Sequence, residues 1–387
     1  MDYNKRLLSY RIFDELGDWF YYFVIVLIVF KSSNNNPFYL GLLSASYTLP
    51  GVIGSSTIAT ILKKFNIRLS IIFMACMRSL LLVLMFISIR NTLLVIIFVF
   101  CEQLLSLGSK LAFQDMIVDI EQDEEILKKF NSSVSVWSTI SRMCVIPIYY
   151  ALTRIFSDSA FLLLDALFTF FAVISIVLIP NSLNFKQVKK HTIEKNSISN
   201  RVKLDSFSKL IIVALGVVGL VTAFGDAYGI SAISDINGNT HLQYGLFIFM
   251  ITVAELLAGI SMKCIDSKIT YQNRIPILGV SLLALSIMMI GISMWQTITI
   301  LFATLIFSKM IFIWIQLYAL NHFQQSFTND IMPVLAIQNV SLDGVALFNS
   351  MVGAVLIAQF GIMKYIVVIG LNCLVLGSVI VITRKRW

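Results

Sequence analysis

Charge is scarce in this sequence. Only 13% of its 387 residues are Asp, Glu, Lys or Arg, and only three are histidine. A soluble domain carries about 25% charged residues, so a soluble enzyme and a nucleic-acid-binding module are both excluded as readings. Cysteine is equally unhelpful as a scaffold. Cys76, Cys101, Cys144, Cys264 and Cys373 are scattered in or beside apolar segments. No CxxC or Cys/His spacing appears, so neither a disulfide framework nor a zinc site is expected. There is no Walker sequence to cradle a nucleotide, which argues against ATP-driven transport by this chain. No nucleophile and base stand in a motif context, so no catalytic activity is expected. No cofactor is expected either.

What is abundant is apolar sequence. Hydrophobic residues make up 58% of the chain and the mean hydropathy is +0.87. A helix crosses a bilayer with about 20 predominantly apolar residues. Stretches of that kind are read at 9–30, 38–62, 69–89, 92–112, 133–154, 159–180, 208–230, 243–263, 275–294, 296–319, 336–360 and 364–383. Short polar connectors such as Lys31-Ser-Ser-Asn-Asn-Asn36 and Arg90-Asn91 separate them. The fold class expected is an all-α membrane protein with about twelve transmembrane helices. The acidic residues ahead of the first apolar run, and the lack of a small-residue cleavage site after it, speak against a cleaved signal peptide.

The few basic residues report orientation. With the N-terminus placed inside, 22 of the 29 lysines and arginines fall on inner segments and only Lys31, Arg90, Arg154 and Lys364 on outer loops. Cytoplasmic loops carry the excess of Lys and Arg. Both termini are therefore expected in the cytoplasm, and the net charge of +8 is mainly a topology signal rather than a nucleic-acid footprint. The longest hydrophilic stretch, Asn181 to Phe207, is basic and divides the spans six and six. This gives 1–180 as one bundle, 181–207 as a cytoplasmic linker and 208–387 as a second bundle. A second inner segment, Asp115 to Asn131, is acidic and reads as a solvated amphipathic surface helix.

The first half carries a recognisable pattern. It runs Phe13-Asp-Glu-Leu-Gly-Asp-Trp-Phe20, then Leu40-Gly-Leu-Leu-Ser-Ala-Ser-Tyr-Thr-Leu-Pro-Gly51, then Lys63-Lys-Phe-Asn-Ile-Arg68 and Met77-Arg78-Ser79. Phe113-Gln114, Asn131, Arg142, Pro147 and Phe161-Leu-Leu-Leu-Asp-Ala-Leu-Phe168 follow in order. In this it resembles the macrolide-efflux and enterobactin-exporter branch of the major facilitator superfamily. The resemblance covers residues 10–180; the second half shares the span count. It implies two six-helix bundles in a bacterial inner membrane, working by alternating access and driven by the proton gradient. It also implies efflux of an amphipathic small molecule, drug or macrolide-like, by antiport. The partners expected are that small molecule and the lipid bilayer, with no nucleic acid, and the chain is expected to act as a monomer. Two departures stand out. Lys63-Lys64 and Asn66 replace the superfamily's Asp-Arg and Gly-Arg of loop 2–3, and Ile146-Pro147 is followed by Ile148-Tyr149-Tyr150 where a glycine pair is usual. These departures keep open a sensor or immunity protein that no longer transports. Export of a self-made siderophore or peptide would use the same charges.

Candidate site residues are the charges at membrane depth, where each costs at least about 2.5 kcal/mol on insertion scales. Arg78 in span 3 and Glu102 in span 4 each lie about ten residues from a membrane face, at 1.5 Å rise per residue. On antiparallel neighbours they read as a pair, either a structural pin or a transport element. The resemblance implies that Asp18 of span 1 meets Arg142 of span 5, because helices 1 and 5 approach the cavity in that superfamily. Asp18 and Glu102 are the candidates for proton coupling, with Arg78 and Arg142 as their charge partners. Arg11 and Glu15 are four apart and can pair across a turn; Asp14 and Glu15 read as interfacial, and Asp165 as structural. In the second half Glu255, Lys309 and Asp343 are candidates for substrate binding or gating, with at least one acid expected to neutralise Lys309. Tyr21, Tyr22 and Tyr149 are candidates for holding a bulky substrate by stacking, with interfacial anchoring as the alternative.

Overall fold

A computed structural model describes residues 2–62, 64–120, 124–153, 155–179, 206–237, 240–266, 271–326 and 331–383, apart from some side chains, mostly near helix ends. Residues 181–205 of the expected linker, Arg154 and the acidic side chains of 119–125 lie outside the described residues, and Ser206 and Phe207 already belong to a helix. Twelve helices follow in order. They are α1 (Asp2–Ser32), α2 (Pro37–Leu62), α3 (Ile67–Ile87), α4 (Thr92–Ile120), α5 (Glu124–Leu152) and α6 (Ala160–Val177), then α7 (Ser206–Asn237), α8 (Thr240–Asp266), α9 (Tyr271–Trp295), α10 (Ile298–Ser326), α11 (Ile331–Phe360) and α12 (Ile362–Thr383). Among the described residues nine of these are long and apolar enough to cross a membrane. The exceptions include α1, which carries Asp14, Glu15 and Asp18, and α5, which is rich in serine and carries Arg142. The chain is a multi-pass membrane protein whose secondary structure among the described residues is helical.

Several helices outrun their apolar cores. α1 starts at Asp2, α4 continues to Ile120 and α5 begins at Glu124. Outside residues 121–123, the segment expected as a surface helix therefore falls in the ends of α4 and α5. A helix satisfies its own backbone hydrogen bonds wherever it runs, so a polar end need not interrupt it. Turns form where the local chemistry permits them. Asn66 caps α3 by accepting from the Leu69 amide at 3.2 Å, and Gly361 supplies the left-handed backbone (φ +83°) between α11 and α12.

The helices group into two compact units. The first comprises residues 1–34 and 46–196. The second comprises 197–387 together with 35–45, the start of α2, whose Ser44 hydroxyl accepts from Ser350 at 2.7 Å. In the first unit α1 packs on α5 and α6, and α3 packs on α4 and α6. In the second, α7 packs on α11 and α12, and α9 packs on α10 and α12. Each pairing in one unit thus has its counterpart six helices later, as an internal repeat requires.

Small residues let the α9–α12 pair approach closely, the usual solution where lipid removes most of the hydrophobic drive for association. A Cβ added at Gly279 would lie 2.8 Å from the Val381 side chain, and one added at Gly377 would lie 3.0 Å from the Gly279 carbonyl oxygen. Gly377→Leu is expected to separate the helices and destabilise the protein by about 1–3 kcal/mol, the usual range for overpacking. Gly259, whose added Cβ meets nothing within 4 Å, is the control: Gly259→Ala should melt with the wild type in a fluorescence thermal-shift assay in detergent.

Candidate functional site

The charges of the first unit converge on Arg78. This guanidinium is 1% exposed on α3. Its Nη1 donates to Asp14 Oδ1 at 2.7 Å, its Nε donates to Glu102 Oε1 at 2.8 Å, and its Nη2 donates to Asp18 Oδ1. Three carboxylates from two helices, α1 and α4, thus hold one arginine on a third. Gln103 Nε2 donates to the other Glu102 oxygen at 2.8 Å. Lys110 reaches back along α4 to place its ammonium 3.1 Å from Asp18 Oδ2.

Helical spacing builds the constellation. Asp14 and Asp18 are four residues apart, so both face α3 from one side of α1. Arg11 lies three and four residues before Asp14 and Glu15. It donates to Asp14 Oδ2 at 3.1 Å and also pairs with Glu15. On α4 Glu102, Ser106 and Lys110 recur every four residues and so share a face. The site grades from dry to wet: Glu102 is 0% exposed, the Asp14 side chain 3%, Asp18 16% and Lys110 40%. Asp18 is therefore the most accessible carboxylate of the Arg78 trio.

Arg142 does not pair with Asp18 among the recorded contacts. Its guanidinium lies 3.8 Å from the ring centroid of Trp19, whose Nε1 donates to Glu15 at 3.2 Å. The residue after Asp18 on α1 offers a flat π-face where a planar cation stacks well. Asp14 is likewise not interfacial: it is buried and bound to Arg78. Asp165 of α6 is also fully buried, against Gly17 of α1.

The aromatic candidates divide. Tyr21 is buried and Tyr22 partly so; both rings lie against Tyr47, at 6.1 and 5.1 Å. Tyr149 is buried among Phe23, Tyr150 and Phe161, and its hydroxyl donates to Asp158 at 2.7 Å. Asp158 also binds Lys31 at 2.6 Å. Tyr149 thus helps tie the end of α1 to the α5–α6 turn.

In the second unit Lys309 of α10 meets Glu255 of α8 at 3.1 Å, with the Phe312 ring 5.9 Å from the ammonium. Asp343 of α11 is partly buried and has no recorded ion pair or hydrogen bond among the described residues. A separate polar set links α7, α11 and α12. There Tyr228 donates to the Ser350 carbonyl at 2.6 Å, and Tyr365 donates to Asn349 Oδ1 at 2.7 Å. Sequence reasoning missed Asp14 and Lys110 as members of the Arg78 cluster. The four-residue steps Asp14–Asp18 and Glu102–Ser106–Lys110 were the available signal.

No family model matches the chain, and no curated relative matches it. Solved structures do. The nucleoside transporter NupG aligns over the full length of both chains at 10% identity with a TM-score of 0.77. The POT family transporter PepTSo aligns over 100% of this chain and 98% of its own at 9% identity and 0.72. A bacterial homolog of the human lysosomal transporter Spinster, in an inward-facing and occupied conformation, aligns over 98% and 96% at 13% identity and 0.70. At such identities the likeness is one of fold, which is the major facilitator fold.

Arg78→Gln is expected to be the most damaging single change in the cluster. It strands two nearly dry carboxylates, and removing one partner of a buried ion pair typically costs about 3–5 kcal/mol. Glu102→Gln should cost less, because Arg78 keeps two partners. Combining Arg78→Gln with Asp14→Asn should recover part of the lost melting temperature, a coupling that a double-mutant cycle measures.

Proposed function

We propose that this chain is a secondary active transporter of the bacterial inner membrane, with both termini cytoplasmic. It exports an amphipathic small molecule, drug or macrolide-like, by proton-coupled antiport. The two six-helix units move against each other in alternating access around the substrate. The observation that carries this reading is the cluster around Arg78, where three carboxylates compete for one dry guanidinium. A carboxylate that leaves an arginine on taking up a proton changes the local charge balance. A packed helix bundle converts such a local change into a shift between discrete states.

Within this reading the residues take distinct parts. Asp18, at the wet edge and shared between Arg78 and Lys110, takes the proton first. Glu102, fully dry, follows when Arg78 reorganises. Arg142, stacked on Trp19, is the second charge partner. Glu255, Lys309 and Asp343 contribute binding or gating from the second half. Tyr22, partly accessible, offers a ring face to the substrate, with the buried Tyr21 behind it and Tyr149 supporting them from the α5 side. The proton gradient serves as the energy source without a cofactor, and the transporter works as a monomer. Of the three transporters of like fold named above, NupG alone is described by a cargo, nucleosides, and at 10% identity it does not narrow the substrate class.

Everted vesicles screened with fluorescent amphipathic cations and macrolides test the reading. The wild type is expected to accumulate a substrate when the vesicle interior is acidified, and to stop when the gradient is collapsed. Asp18→Asn and Glu102→Gln should each lower gradient-driven uptake by about an order of magnitude, the effect of roughly 1.4 kcal/mol, while substrate exchange without a gradient persists. Wild-type uptake in both variants with intact proton dependence would refute the coupling assignment. Absence of any substrate-linked proton flux in proteoliposomes would favour a non-transporting role, for which the replaced loop 2–3 residues Lys63, Lys64 and Asn66 already provide a motive.

A further inference from the structure

One carboxyl group beside the Arg78 cluster has no part in the account above. Asp165 is 0% exposed near the start of α6. Its Oδ1 accepts only a long bond of 3.4 Å from Thr169, and its Oδ2 has no hydrogen-bond partner. No ion pair is recorded for it among the described residues. Gly17 explains how it comes so close to α1: a Cβ at that position would lie 2.2 Å from Asp165 Oδ1. The charged groups acting on it come from three helices, Asp14 and Asp18 of α1, Arg78 of α3 and Glu102 of α4. The Tyr21 hydroxyl of α1 is also within electrostatic reach. Three of these four charges are negative, and the one cation is already bound by all three.

The charge balance of the neighbourhood points the same way. Five carboxyl groups (Asp14, Glu15, Asp18, Glu102 and Asp165) face three cations, Arg11, Arg78 and Lys110. Counting Arg142 beside Trp19 still leaves one carboxyl in excess. The group without a cation in contact is Asp165. An isolated ionised carboxylate in a low-dielectric interior is far more costly than a neutral acid with one unsatisfied hydroxyl.

We propose that Asp165 is a proton-binding site: it holds a proton as a neutral acid while Arg78 is engaged by Asp14, Asp18 and Glu102, and releases it when Arg78 loses one of those partners. Proton occupancy at α6 then reports the state of a guanidinium on α3. Freed of one carboxylate, Arg78 turns its field on Asp165 and the acid ionises to replace the missing charge. Any role of that proton in transport rests on the reading of the cluster as proton-coupled; its presence on Asp165 does not.

Infrared difference spectroscopy on the full-length protein in lipid, titrated across neutral pH, tests this without any substrate. The wild type is expected to show a protonated-carboxyl C=O band at neutral pH that Asp165→Asn abolishes. In Glu102→Gln that band should disappear at a lower pH than in the wild type. Because Asn matches the shape and neutrality of the acid, Asp165→Asn should melt within the scatter of the wild type, whereas Asp14→Asn, which removes an Arg78 partner, should melt lower. A band untouched by Asp165→Asn would overturn the proposal, and so would a melting loss matching that of Asp14→Asn. If Asp165→Asn accumulates too poorly for spectroscopy, the titration in Glu102→Gln against the wild type decides alone: an unshifted band overturns the proposal. Should vesicle transport prove independent of Asp18 and Glu102 while the band behaves as stated, the transport reading falls and the proton site stands.

Discussion

Burying a guanidinium organises the first half of this protein. Moving an ion of that size out of water costs several kcal/mol even after relaxation. The cost is recovered only if partners occupy its donors with good geometry. Arg78 has three such partners, supplied by α1 and α4, while α6 brings a further carboxyl group to the same neighbourhood. The relative placement of four helices is thus tied to one side chain. A slip of one residue in α1 or α4 would turn a carboxylate away from its donor, since each residue rotates the helix by about 100°.

The second half repeats the packing without repeating the charge. The helix pairings named for the first half recur in it, yet its recorded ion pair at depth is Glu255 with Lys309. Close contact there rests on small residues such as Gly279 and Gly377, and on neutral hydrogen bonds from Tyr228 and Tyr365. Two physically different ways of joining helices, electrostatic in one unit and steric in the other, therefore serve one repeated architecture.

Much of this was legible in the residues. Twelve apolar runs become twelve helices, and depth counting on antiparallel neighbours pairs Arg78 with Glu102, as the structure does at 2.8 Å. Depth counting failed for Asp14 because it measures from the start of the apolar run. α1 begins at Asp2, and its polar first turns carry Asp14 into a protein interior rather than a lipid headgroup layer. Lys110 falls near the end of the span read at 92–112. A long flexible stem lets such a side chain lie along its helix and deliver its charge well away from its own Cα. The expected meeting of Asp18 with Arg142 came from resemblance, which ranks helices by proximity but not the partners on them. Here Trp19, one residue on, presents the face that Arg142 takes. The nature of the cargo left no mark in spacing or charge, since aromatic rings serve packing, interfaces and ligands alike.

The stacking of Arg142 on Trp19 has an optical consequence. Trp19 is one of five tryptophans. Its indole N–H is bonded to Glu15 while a guanidinium covers its face at 3.8 Å. A cation fixed over the ring and a carboxylate fixed at its edge impose a directed electric field on the indole, and the emission energy of tryptophan follows that field. Any rearrangement among Arg11, Glu15 and Arg142 is thereby written into the colour of a native fluorophore. A chain in which the other four tryptophans are replaced by phenylalanine would carry its own light source at the edge of the charge cluster, with no dye attached.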